Sequence, residues 1–286
     1  MFANKLLPID ELMCCPPPGS PGPAPFERSR KRKPRGTEMT MTATDFARGG
    51  VSMELLRVVD LAKHYGEEAA IAGVTFSAAA GEVLGIVGPN GAGKTTLLEA
   101  TAGLAGADSG AVFWLGNALP ASRRKAAIFY LPDGVKPYQD RFTFEVLTFF
   151  GSVYRRSASD LASAIASLEL KPVLRKRVSA LSKGYNRRLL LAIGLLTPHR
   201  VLLMDEPFDG FDLRQTRNIV AVVRNAAGAG RTFILAIHQL ADAERVCDRF
   251  ILLAGGQVRG IGTLHELRTQ TGIPAGSLEE IFLALT

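Results

Sequence analysis

A chain of 286 residues in which 47% of the side chains are apolar has room for one large domain or two modest ones and can bury a sizeable core. About half of the net charge of +7 is local: residues 1–50 hold eight Lys/Arg against five Asp/Glu, and the rest is only mildly basic, which argues against a dedicated nucleic-acid surface. The three cysteines, Cys14, Cys15 and Cys247, make no C-x-x-C pair and no even framework, so neither a zinc site nor a disulfide scaffold is supported, and a reducing cytoplasm fits.

Residues 1 to about 50 read as a disordered, basic tail, because Pro16-Pro17-Pro18-Gly19-Ser20-Pro21-Gly22-Pro23 can hold neither a helix nor an inner strand. The basic run Arg28 to Arg35 is read as a solvated tail, or as an extension upstream of a start at Met39, Met41 or Met53, in preference to a contact with anionic lipid or nucleic acid. It follows the apolar residues instead of preceding them, so no secretory signal is expected.

From Met53 the pattern becomes globular. Leu55 to Val59 and Val74 to Phe76 predict paired strands joined around Tyr65-Gly66, and the unbroken apolar run Val83 to Val87 predicts a buried parallel strand. A helix is expected from Lys94 to about Ala102. Residues 133–197 read mostly helical, over Phe144–Val153, Ala158–Leu170 and Arg187–Leu196, with Cys247 expected inside a later apolar-patterned helix. Val201–Met204 and Phe233–Ile237 predict two more buried strands around a helix over Leu213–Ala227. Gly255-Gly256 marks a hairpin between Phe250–Leu253 and Gln257–Gly260, and Leu278–Leu285 predicts a last helix. The longest apolar run, Leu189 to Leu196, is far too short to span a bilayer. The alternation predicts an α/β parallel sheet of the P-loop type, with an antiparallel β part and a helical insertion at about 133–197, in one domain over 53–286.

Gly88-Pro89-Asn90-Gly91-Ala92-Gly93-Lys94-Thr95-Thr96 matches G-x-x-x-x-G-K-[ST] between a strand and a helix. Its glycines let main-chain N–H groups close around phosphate oxygens at the positive end of a helix. Lys94 is expected on the β- and γ-phosphates of ATP, with the Thr95 hydroxyl on Mg²⁺. Val201-Leu202-Leu203-Met204-Asp205-Glu206-Pro207 places two carboxylates at the C-terminal edge of a buried strand, where open α/β sheets bind ligands. Asp205 suits the surroundings of Mg²⁺, and Glu206 suits polarising water for attack on the γ-phosphate.

With Leu181-Ser182-Lys183-Gly184-Tyr185-Asn186-Arg187-Arg188, the order of motifs over residues 53–286 resembles the ATP-binding cassette (ABC) ATPases, whose signature reads roughly LSGGQ. The resemblance implies that Ser182 and Gly184 contact the ATP held by a second subunit, with Lys183 and Tyr185 departing from the usual glycine and glutamine. It implies that His238 holds Glu206 and water near the γ-phosphate, that Tyr65 stacks on adenine, and that Asp212 links the two sites while capping a helix. In Tyr130-Leu131-Pro132-Asp133, Asp133 replaces a family glutamine that touches Mg²⁺. The implied protein is the ATPase subunit of an exporter-type transporter at the cytoplasmic membrane face. It would pair with a second nucleotide-binding subunit, most simply its own copy, and with a permease on a separate chain, and would take no specific nucleic acid. The competing expectation is a soluble cassette acting on ribosomes, DNA or cluster assembly. A small P-loop kinase or GTPase explains neither Leu181–Arg188 nor His238.

Overall fold

In the computed structural model, residues 53–286 are described; the predicted tail, with Cys14, Cys15 and the basic run, lies outside the described residues. β1 (Glu54–Tyr65) and β2 (Glu68–Ala79) form an antiparallel hairpin that turns at Gly66. Both strands run well beyond their predicted cores, because register shifts and half-exposed residues hide their alternation from a sequence reading. β3 (Val83–Val87) is buried along its whole length and leads through a glycine loop into α1 (Lys94–Ala102), as predicted. There follow β4 (Ser109–Trp114), β5 (Asn117–Ala118), the short α2 (Ala121–Arg124) and β6 (Ile128–Leu131).

The helical insertion holds α3 (Thr143–Val153), α4 (Ala158–Ser167) and α5 (Lys183–Leu196). α4 stops at Ser167, short of the predicted Leu170, because Glu169 turns into the left-handed region at φ 51°. α5 starts four residues before the predicted Arg187, because Ser182 caps it: its hydroxyl accepts from the Tyr185 N–H at 3.3 Å. The core resumes with β7 (Val201–Asp205), α6 (Leu213–Gly228), β8 (Thr232–Ile237), α7 (Leu240–Val246), β9 (Arg249–Ala254), β10 (Gln257–Gly262), α8 (Leu264–Thr271) and α9 (Leu278–Leu285). Cys247 is not inside a helix as predicted. It is the extended C-cap of the seven-residue α7, with its sulfur filling the space left by Gly85.

Two sheets result. One, in the order β2-β1-β4-β5, is antiparallel; the other, in the order β10-β9-β3-β8-β7-β6, is parallel apart from the β9–β10 hairpin. Period-two alternation splits the large sheet's side chains between two cores. Leu84, Ile86, Leu203, Ile234 and Ile251 face α1 and the antiparallel sheet, whereas Val83, Leu202, Met204, Phe233 and Phe250 face the remaining helices. Burial on both faces explains why these strands read as continuous apolar runs. Among the described residues no helix is long and apolar enough to cross a membrane.

Candidate ATP site

β3, β7 and β8 are parallel neighbours, so their C-terminal ends deliver the glycine loop, Asp205-Glu206 and His238 to one edge. The loop is shaped by glycines at positions that exclude side chains. A Cβ on Gly88 would lie 2.1 Å from the Leu253 carbonyl oxygen, and one on Gly93, at φ 98°, would lie 2.2 Å from that of Ala70. The β9–β10 turn clasps the loop, since the Gly256 N–H donates to the Ala92 carbonyl at 3.2 Å. Ala92 is buried beneath, while Pro89, Asn90 and Gly91 form the exposed tip. The first turn of α1 has neither a side-chain cap nor an acidic residue, so its N–H groups suit an anion.

Lys94 is buried, and its ammonium donates to the carbonyls of Gly88 at 2.9 Å and Pro89 at 3.1 Å. The same ammonium stands 3.7 Å from Glu206 Oε1. Thr95 and Thr96 follow on α1, and the Thr95 hydroxyl donates to Asp205 Oδ2 at 2.7 Å. Burial pushes the Asp205 carboxyl up from its ordinary range, opposed by the Thr95 hydrogen bond and reinforced by the charges of Glu206 and Asp133. Asp205 Oδ1 is buried with no hydrogen-bond partner. An ionised oxygen in that position costs free energy unless a cation or water meets it, so the site's donor set fits a hard divalent cation. Among the described residues no three His, Cys, Asp or Glu side chains converge as a metal cage. A cation there would complete its shell from phosphate oxygens and water, which is the habit of Mg²⁺.

Glu206 occupies the left-handed region at φ 47°, where a non-glycine residue is held only by its surroundings. Its Oε2 lies 2.5 Å from His238 Nδ1. Lys94, Glu206 and His238, predicted from separate motifs, therefore form one contiguous group.

The other predicted residues stand around this group in different ways. Tyr65 ends β1 with more than half its surface exposed and the Lys63 ammonium 5.5 Å from its ring centroid. Asp108 ties the Lys63 and His64 segment down: its carboxylate accepts from the His64 N–H at 2.6 Å and from Lys63 at 3.1 Å. The backbone hydrogen bond from His64, then that from Lys63, lower its pKa to about 2. Asp133 does not point freely at the Thr95–Asp205 pair; its Oδ1 accepts from Arg187 at 2.7 Å. Among the described residues no hydrogen bond joins Ser182 or Gly184 to the glycine loop of the same chain. Gly184 packs so closely on Phe211 that a Cβ would lie 3.3 Å from its ring. The Asp212 carboxylate caps α6 by accepting from the Gln215 N–H at 2.8 Å. Sequence reasoning gave no role to Arg187 or Asp209 and noted Lys183 only as a departure from the signature, yet the three meet behind Glu206. The only signal was a pair of basic residues after the signature, which is common on solvated helix faces.

The profile of the family described as ABC transporter matches residues 71–209. The Nod factor export ATP-binding protein I of Rhizobium etli is 34% identical over 235 residues, covering 80% of this chain and 71% of that protein. The ABC-type transporter ATP-binding protein EcsA of Bacillus subtilis is 29% identical over 82% of this chain and 97% of that one. A solved structure of an ATP-binding subunit of an ABC transporter superimposes with a TM-score of 0.73 at 30% identity, covering 81% of this chain and 99% of its own. These relatives favour transport over the competing expectation of a soluble cassette on a non-transport machine. The chain belongs to the ATP-binding proteins of ABC transporters, the subunits that bind and hydrolyse ATP to power transport.

Proposed function

We propose that this subunit hydrolyses ATP at a site shared between two copies of the chain, and that turnover drives export through a permease on a separate chain. The observation that carries the proposal is the convergence of Lys94, Glu206 and His238 at the end of the glycine loop. In this reading Tyr65 stacks on adenine. Residues Gly88 to Thr96 cradle the phosphates with main-chain N–H groups, and Lys94 moves from the Gly88 and Pro89 carbonyls onto the β/γ-phosphate oxygens. Thr95 and Asp205, with Asp133 near them, would hold Mg²⁺, which supplies charge neutralisation on the phosphates. Glu206 accepts a proton from water as the water oxygen bonds the γ-phosphorus. The bond from that phosphorus to the β,γ-bridging oxygen breaks, and ADP leaves with the electron pair. His238, 2.5 Å from the Glu206 carboxylate, keeps that base in line. Among the described residues no hydrogen bond joins Ser182 or Gly184 to their own glycine loop, which supports supply of these groups to the partner's ATP. Two such sites would sit between two facing chains at the cytoplasmic side of the membrane.

The test is Glu206→Gln, which keeps the shape and removes the base. ATP binding should persist while turnover falls by roughly 10²–10⁴-fold. Retention of more than about a tenth of wild-type turnover would sink the assignment of Glu206 as base.

A further inference from the structure

Arg187 lies in the first turns of α5 with its side chain buried. Its guanidinium reaches two other segments at once, the loop at Asp133 and the turn from Glu206 to Asp209. Nη1 donates to the main-chain carbonyl of Glu206, and Nη2 donates to Asp133 Oδ1 at 2.7 Å and to Asp209 Oδ2 at 3.1 Å. Asp209 is also held by the Lys183 ammonium. That hydrogen bond, with the charge of Arg187 adding to it, keeps the Asp209 carboxyl below the usual carboxylate range.

A buried guanidinium needs counter-charge, and Asp133 and Asp209 supply it. The bond to Glu206 does something else. It falls on the residue that combines a carboxylate at the site with a left-handed main chain. Such a conformation persists where the surrounding structure over-determines it. The Glu206 N–H is fixed on the Ala236 carbonyl at 3.0 Å, and the Glu206 carbonyl accepts from the Asp209 N–H at 3.3 Å within its own turn and from Arg187 across from α5. With both ends held, the side chain leaves the strand end toward His238 and Lys94. The two charged departures from the family pattern, Lys183 and Asp133, both belong to this network, which gives them a common reason.

We propose that Arg187 is a positioning residue for ATP hydrolysis: it holds the Glu206 main chain in its left-handed conformation and so aims the carboxylate, while Asp133 and Asp209 balance its charge. The proposal rests on Glu206 being the base.

The experiment measures steady-state ATPase, equilibrium ATP affinity and thermal melting of the full chain carrying Arg187→Lys, Arg187→Met, Glu206→Gln, or Glu206→Gln combined with each Arg187 change. Misaiming a reacting group by about an ångström costs up to ~10²-fold in rate. Arg187→Met should therefore lower kcat by about tenfold or more with ATP affinity within roughly threefold of wild type. Arg187→Lys keeps the charge but loses the fork, and should recover part of that loss while remaining at least about threefold slow. In the Glu206→Gln background, where the aim of the side chain no longer matters, either change should alter the residual turnover by less than about twofold. The same fold-loss in both backgrounds would overturn the proposal, as would a wild-type kcat for Arg187→Met. If Arg187→Met shows no cooperative melt, the lysine variant decides: a folded Arg187→Lys chain with wild-type kcat overturns the proposal. Undiminished turnover of Glu206→Gln alone would instead overturn the assignment of the base.

Discussion

Gly93 and Gly91 both have positive φ, 98° and 81°, yet their surroundings differ sharply. A methyl group on Gly91 meets nothing within 4 Å, whereas one on Gly93 lies 2.2 Å from the Ala70 carbonyl oxygen and 3.1 Å from Ile71 Cγ2. An unstrained carbon–oxygen approach is about 3.3 Å or more, so Gly93→Ala forces α1 and β2 apart by roughly an ångström. The left-handed main chain costs an alanine about 1–2 kcal/mol, and overpacking of this kind adds about 1–3 kcal/mol. The stiffer unfolded chain returns about 0.4–1 kcal/mol. The net loss is about 2–4 kcal/mol for Gly93→Ala and about 1 kcal/mol for Gly91→Ala, where the overpacking cost is missing. In a domain of roughly 230 residues, 1 kcal/mol shifts Tm by about 2–4 °C. Circular dichroism melts should thus show a fall of about 5–15 °C for Gly93→Ala and of about 2–4 °C for Gly91→Ala. ATP affinity should fall more for Gly93→Ala as well, because the displaced turn carries the N–H groups that face phosphate. Equal melting temperatures for the two variants would refute the argument from close approach.

Lys94→Ala should weaken ATP binding itself as well as turnover, since it removes the charge that faces the phosphates; wild-type affinity in a titration with labelled ATP would contradict the cradle. Ser182→Arg, introduced into Glu206→Gln chains, should abolish ATP-dependent dimerisation measured by light scattering, and dimerisation that survives unchanged would remove the signature from the partner's site. Asp108→Asn should lower Tm at pH 7. The folded pKa of about 2 lies below the ordinary aspartate value of 3.8, so this carboxylate stabilises the fold above about pH 4 and loses that contribution as pH falls toward 2. The gap in Tm between wild type and Asp108→Asn should therefore close over that range, and a gap that stays constant with pH would contradict the assignment.

The parts of the fold that were legible are those where one physical constraint dominates. β3, β7 and β8 are covered on both faces, so their apolar runs announce them, and the glycines of the phosphate loop stand where no side chain fits. β4 was not legible, because only Val112 is buried and Gly110 interrupts it at φ 94°. α7 has seven residues and α8 a largely polar surface, too little periodicity to read, although the Thr263–Glu266 capping box was there to be seen. In the site, Lys94, Thr95, Asp205 and Glu206 came from motifs whose spacing has a mechanism. Arg187 did not, because its meaning lies in two segments distant from it in sequence, at residue 133 and at residues 206–209. The roles proposed for Ser182 and Tyr65 depend on molecules outside the chain, and no pattern within one chain carries that information.

The C-terminal end of α5 is bolted from two directions. Arg156, from the helical insertion, bonds the carbonyls of Leu196 and Thr197 at 2.7 Å each, and Arg231, from the loop before β8, bonds those of Gly194, Leu195 and Thr197 at 2.7–2.8 Å. These two arginines make that end the fulcrum of a lever whose opposite end, capped by Ser182, is gripped through Lys183 and Arg187 on Asp209, Asp133 and the Glu206 carbonyl. At ~1.5 Å per residue the lever is about 20 Å long, so a tilt of only about 10° carries its tip by ~3–4 Å. That stroke equals the full reach of a hydrogen bond, so in the proposed dimer a swing that brought Ser182 up to the partner's phosphate would also shift the grip on the Glu206 carbonyl. Arg231→Ala would leave Arg156 as the remaining bolt, so the fulcrum would loosen and the two ends of the lever would no longer move as one.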